Sequence, residues 1–159
     1  MRHWRLMIMG VAAMVVIYLV HRVLPPQHNP LRPPDLTEPI GWATQAKLAK
    51  LKQDEALCRQ TLSDAGVEFE VLTADGAESR CPLGETLQLK RSLPPLNAAP
   101  LRLPCHQLAA YHIWERHVLR PQAERIFGSP LRQIETYGSF SCRNIAGTQV
   151  RSQHSYANA

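Results

Sequence analysis

Four cysteines, seven histidines and a serine–histidine pair near the carboxyl end are the residues of this 159-residue chain with chemistry to offer. Cys58, Cys81, Cys105 and Cys142 are separated by 23, 24 and 37 residues, with no CxxC and no Cys-x-His pair. That spacing argues against a zinc finger and against a thioredoxin-like redox site. In an exported chain, an even count reads as two disulfides, with three possible pairings. The pairing of sequence neighbours, Cys58–Cys81 and Cys105–Cys142, is the one favoured here, and loops of that length are worth roughly 3–4 kcal/mol each in the chain-entropy description. His106, His112 and His117 fall within one helical stretch, but no HExxH or other i,i+4 pair is present, so that helix lacks the zincin pattern. At 100° per residue, His112 shares a side with Cys105, Leu108 and Ala109, and a core-edge or surface place is expected for all three histidines. His154 stands apart, because Ser152-Gln153-His154-Ser155-Tyr156-Ala157 surrounds it.

The elements that must carry these residues begin with an apolar N-terminus. Leu6–Val20 has no charge, Arg2 and Arg5 precede it, and His21 and Arg22 follow. With Trp4, Val23 and Leu24 the apolar stretch reaches the length of a membrane-spanning helix. A cleaved signal peptide is the alternative, with a typical apolar region of about 7–15 residues. No small-x-small cleavage site follows, since His-Arg-Val-Leu-Pro-Pro comes next, and residues 1–24 therefore read as an uncleaved transmembrane signal anchor. The positive flank puts the N-terminus in the cytoplasm and the rest outside. Residues 25–42 form a Pro-rich linker, with six of the thirteen prolines, expected as an extended polyproline II spacer that stands the following domain off the membrane.

The remainder, residues 43–159, reads as one small α+β domain. A helix is expected over 43–65, stopped by Gly66. A strand follows through Val67, Phe69 and Val71, then a turn at Asp75-Gly76 and a short strand around Leu87 and Leu89. A second helix runs from Pro104 to Val118, with a further helical segment from Pro121 to Gly128. Leu131–Tyr137 is β-prone, and Gly138-Ser139 opens a loop. The formal charge of +5 is concentrated near the membrane end: Arg2, Arg5, Arg22 and Arg32 occur where no acid does, whereas residues from Cys58 onward hold 11 basic and 9 acidic side chains. A nucleic-acid partner is excluded on that distribution.

From about Cys58 to the end the chain resembles the extensin-like C-terminal domain of bacterial envelope proteins. The likeness rests on Cys58 with Leu62 and Gly66-Val67-Glu68-Phe69, on Cys81-Pro82, and on Leu103-Pro104-Cys105 with Leu108, Trp114 and Val118. It continues through Pro121, Ala123 and Gly128 to Gly138-Ser139-Phe140-Ser141-Cys142-Arg143 and Ser152-Gln153-His154-x-x-Ala157-Asn158-Ala159. The family usually places an acid where this chain has Gln153.

That family is distantly similar to zinc D-Ala-D-Ala carboxypeptidases, whose pattern is Ser-x-His-x-x-(Gly/Ala)-x-Ala-x-Asp. The resemblance implies that His154 is a zinc ligand, that Ser152 orients its loop, and that Arg143 binds a substrate carboxylate or a developing oxyanion through its planar donor fork. It also implies zinc as cofactor, peptides of peptidoglycan as partners, and a place in the bacterial inner membrane with the domain in the periplasm. The acid of the pattern would fall two positions beyond Ala159, and no further His follows. The expectation is therefore a domain incomplete at its C-terminus, with half a metal site. Two functions follow from this reading: a zinc-dependent peptidoglycan hydrolase in a longer form, or a non-catalytic envelope protein that binds peptidoglycan or a partner.

Overall fold

The structure, a computed structural model, describes residues 2–73, 81, 84–92, 95–96 and 101–157. Helix α1 spans Arg2–Val23, 22 residues, long enough at ~1.5 Å per residue to cross a hydrocarbon core of ~30 Å. Its 18-residue window Leu6–Val23 has a mean hydropathy of 2.1, and side chains from Leu6 to Leu19 are exposed on every side. A helix that is apolar all round suits lipid or a leader rather than the face of a soluble bundle.

Residues 25–42 do not extend away as a spacer. Pro26–His28 forms a short 3₁₀ turn, and Leu36 is buried within the main core. Proline removes donors but leaves carbonyls, and those carbonyls find partners on the body of the protein. Lys47 Nζ donates to Pro26 O (2.9 Å) and pairs with Glu38 at 2.7 Å, while Lys50 Nζ donates to Pro30 O (2.7 Å). The His117 ring nitrogen lies 3.0 Å from Leu36 O. Asn29, fully buried, donates through Nδ2 at 3.2 Å to Val20 O in the last turn of α1, a carbonyl that also accepts the Leu24 N–H. Gly41 is required at its place, because a Cβ there would collide with the Gln27 carbonyl. The stretch expected to be a spacer thus clamps the end of α1 to the body.

The single helix expected over 43–65 is two: α2, Thr44–Gln53, and α3, Glu55–Asp64. Asp54 divides them. Its backbone is extended and its carboxylate accepts the Leu57 N–H at 2.9 Å, a helix N-cap in which an aspartate is more stable than inside a helix. Gly66 ends α3 with φ +73, as its position suggested. An antiparallel sheet follows in the order β1 (Phe69–Leu72), β2 (Thr86–Leu89), β3 (Arg102–Leu103), with Val71 opposite Leu87 and Leu87 opposite Leu103. Two-residue β3 is too short to show in a pattern of alternation. Helix α4, Cys105–Trp114, runs without interruption through a π-helical turn, Glu115–Leu119, into α5, Arg120–Phe127, which Gly128 closes at φ +64. Leu131–Tyr137 forms no strand; it meets residues 95–96 at a single bridge through Ile134. The Asp75-Gly76 turn lies outside the described residues.

All four cysteines are in disulfides, but not between sequence neighbours. Cys58 pairs with Cys105 and Cys81 with Cys142. The reason is helix packing: α3 and α4 lie against each other, and Cys58 and Cys105 sit on their buried faces with Leu62, Leu108 and Ala109. The strand excursion between them brings the chain back, so nearness in sequence does not decide nearness in space. Loops of 47 and 61 residues are worth about 4 kcal/mol each in the chain-entropy description.

Leu36→Ala discriminates a docked clamp from a spacer. Truncation at a site 2% exposed should lower stability by about 2–4 kcal/mol, read as a fall in melting temperature. An unchanged melting curve would mean that residues 25–42 hang free.

Candidate functional site

The segment from Gly138 to Ala157 carries Arg143, Ser152 and His154, and it holds almost no regular structure. Its shape comes from serines. Ser139, buried, accepts the Arg102 N–H on β3 at 2.8 Å and donates to Arg102 O, which fastens the loop to the sheet edge. The Arg102 guanidinium lies 5.2 Å from the Phe140 ring and donates through Nε to Thr86 Oγ1 (2.7 Å). Ser155, fully buried, accepts the Arg143 N–H at 3.0 Å and lies within donating reach of the Arg143 and Ser141 carbonyls at 2.6 and 3.2 Å. Three hydroxyl contacts therefore fix the backbone on both sides of Cys142.

Ser152 opens a 3₁₀ turn, Gln153–Tyr156, and its Oγ accepts the His154 N–H at 3.4 Å. Its own N–H donates to Arg143 O at 3.1 Å, and the Ser141 N–H donates to His154 O at 3.0 Å, so the turn is laced to the backbone on either side of Cys142. Ala157, fully buried, ends the turn in the left-handed region at φ +53, where a small side chain is tolerated. Residues 145–150 form a hairpin with Gly147 at φ +74. The Cys81–Cys142 disulfide staples this unit to the body, with Arg151 Nη1 at 3.7 and 4.0 Å from the two sulfurs.

The structure brings the three site residues singled out from the sequence into one unit, with different exposures. Arg143 is exposed, His154 is half-buried and Ser152 is buried. Ser152 orients the His154 backbone by accepting its N–H. No acid among the described residues pairs with the Arg143 guanidinium. Among the described residues no three His, Cys, Asp or Glu side chains converge as a metal would need. A zinc ion held by one imidazole lacks the three protein ligands of a hydrolytic site, so these residues do not fit zinc, and no metal step is drawn through them. The arrangement can do one thing plainly, which is to present a cationic fork at the surface from a fixed stretch of backbone.

A second gathering of titratable groups was not legible as a site. Along α4 and the π turn, Leu108, Tyr111, His112 and Glu115 line one pocket of about 150 Å³. Glu115, 5% exposed, falls seven residues after Leu108 and hence on the same helical face. Burial pushes its carboxyl above the ordinary range, against the pull of Arg120 and Arg116. Burial also holds the His112 imidazole below its ordinary value and raises the Tyr111 phenol. Glu115 Oε1 lies 3.4 Å from Arg120 Nε but has no hydrogen bond, and His112 Nε2 is likewise buried and unbonded. The Glu115 oxygen is compensated by its ion pair with Arg120, whereas an unbonded buried nitrogen such as His112 Nε2 costs about 1–3 kcal/mol. The His112 side of the helix was visible in the sequence, but the π turn and its burial of an acid were not.

The family described as extensin-like protein C-terminus matches residues 56–159, more than half of the chain, and the chain belongs to that family. No curated protein and no solved structure matches it.

Ser155→Ala tests the loop's construction. Loss of the hydroxyl should lower stability by about 1–2 kcal/mol and speed amide exchange at Arg143 relative to α4. Unaltered exchange at Arg143 would show that the hydroxyl does not hold the loop.

Proposed function

We propose that this extensin-like chain is a single-pass envelope protein of the bacterial inner membrane that binds carboxylate-bearing peptides of peptidoglycan through Arg143. Helix α1 serves as the anchor, with Arg2 and Arg5 at the cytoplasmic side and the disulfide-bonded body in the periplasm. The observation that carries the binding reading is Arg143: an exposed guanidinium on a backbone held by Ser155, Ser152 and Cys142. A planar fork of donors matches a carboxylate in two parallel bonds, and a fixed backbone lowers the ordering cost of making them. Binding is the function these residues support. Hydrolysis by zinc asks for ligands that do not gather around His154 among the described residues.

Full-length protein in detergent micelles should sediment with insoluble peptidoglycan, and Arg143→Ala should bind roughly tenfold to a hundredfold more weakly, as expected for a hydrogen bond to a charged group. Equal sedimentation of the two proteins, or none of the wild type, contradicts the proposal.

A further inference from the structure

The two cystines are chemically unequal. Cys58 and Cys105 are 0% and 1% exposed where α3 meets α4, so a thiolate from outside reaches neither sulfur unless the helices part. Cys81 is buried as well, but its partner Cys142 lies exposed in the 138–157 segment. Attack at Cys142 expels the Cys81 sulfur, and Arg151 Nη1 lies 3.7 Å from that sulfur. A guanidinium beside a sulfur stabilises the thiolate, and a more acidic thiol leaves faster in disulfide exchange. One cystine thus offers an open face to a nucleophile and a cation to the leaving group.

The segment around it depends on that bond. Ser139 holds the segment to β3 upstream of Cys142, whereas the bonds of Ser141, Ser152 and Ser155 run within the segment itself. Among its described apolar side chains only Ala157 is buried, so packing does little to keep it in place once the cystine opens. The body retains Cys58–Cys105 and its core. We propose that Cys81–Cys142 is a redox switch, opened by a dithiol reductant of the CxxC class, that releases residues 141–157 while the body stays folded. A thiolate of the reductant bonds to Cys142 Sγ, the Cys81–Cys142 bond breaks, and Cys81 leaves as a thiolate beside Arg151. The reductant's second sulfur, as thiolate, then attacks its partner sulfur in the mixed disulfide, and Cys142 leaves. The cystine takes up two electrons and two protons, and the dithiol that supplied them becomes a disulfide. Release of the backbone under Arg143 switches off peptide binding, a consequence that rests on the function proposed above.

Oxidised full-length protein in micelles, treated with dithiothreitol, is the material for the test, with free thiols alkylated and assigned by peptide mass. Cys81 and Cys142 should be labelled at least about tenfold faster than Cys58 and Cys105. Amide exchange should then speed up over residues 141–157 and not in α3 or α4. Arg151→Gln should slow the reduction by about threefold, and Arg151→Lys should restore it. If Arg151 only held the loop, its loss would speed reduction instead, because a looser loop exposes its cystine. Equal rates for the two cystines overturn the proposal, as does reduction that is unchanged or faster in Arg151→Gln. So does a reduced segment that exchanges no faster. Sedimentation with peptidoglycan separates the two readings: selectively reduced protein should stay in the supernatant and return to the pellet on reoxidation, and reduced protein that sediments like the oxidised form overturns the switch. Oxidised protein that does not sediment contradicts the binding function, and the labelling and amide-exchange rates then decide the switch by themselves.

Discussion

The Cys81–Cys142 disulfide is the constraint on which the candidate binding surface depends. Residues 138–157 have neither a long helix nor a strand to hold them, and a loop with so few ladder bonds would otherwise sample many shapes. The cystine fixes one point of that loop to the body. Ser139 fixes a second on β3, and Ser155 then sets the backbone around Arg143. Each bond is modest alone. Together they turn an irregular segment into a platform with a fixed backbone from which the Arg143 guanidinium projects.

The two disulfides divide the work. Cys58–Cys105 lies in the core between α3 and α4, where hydrophobic packing already gathers Leu62, Leu87 and Leu108, and it secures the body of a small domain. Cys81–Cys142 extends that security outward to a segment that buries few apolar side chains of its own. At the opposite end, Asn29, Lys47 and Leu36 secure the chain to the foot of α1. A body clamped in this way is held against the end of the apolar helix rather than at the end of a tether.

Much of this was legible from residue types alone. The apolar run gave α1, glycine positions gave the ends of α3 and α5, and alternation gave β1 and β2 in a mixed α+β fold. What escaped the sequence was decided by contacts distant along the chain. Prolines read as stiffness, yet Leu36 and the carbonyls beside those prolines found partners on α2 and the π turn. Asp54 read as one helical residue among many, although an aspartate with a free N–H three residues on is a capping signal. The cystine pairing follows from which faces of α3 and α4 are buried, a property of the packed pair. The Ser152–Ala157 motif was visible, whereas the reason for its serines, which is to hold backbone, appears only with the fold.

The central claim is that a stapled loop presents Arg143 to peptidoglycan. The most direct test is a Cys81→Ser/Cys142→Ser double variant, assayed by sedimentation with insoluble peptidoglycan alongside amide exchange. The body, still held by Cys58–Cys105, should keep protected amides in α3 and α4, while residues 141–157 exchange faster and sedimentation is lost. A variant whose body stays folded and which sediments as well as the wild type would contradict the account.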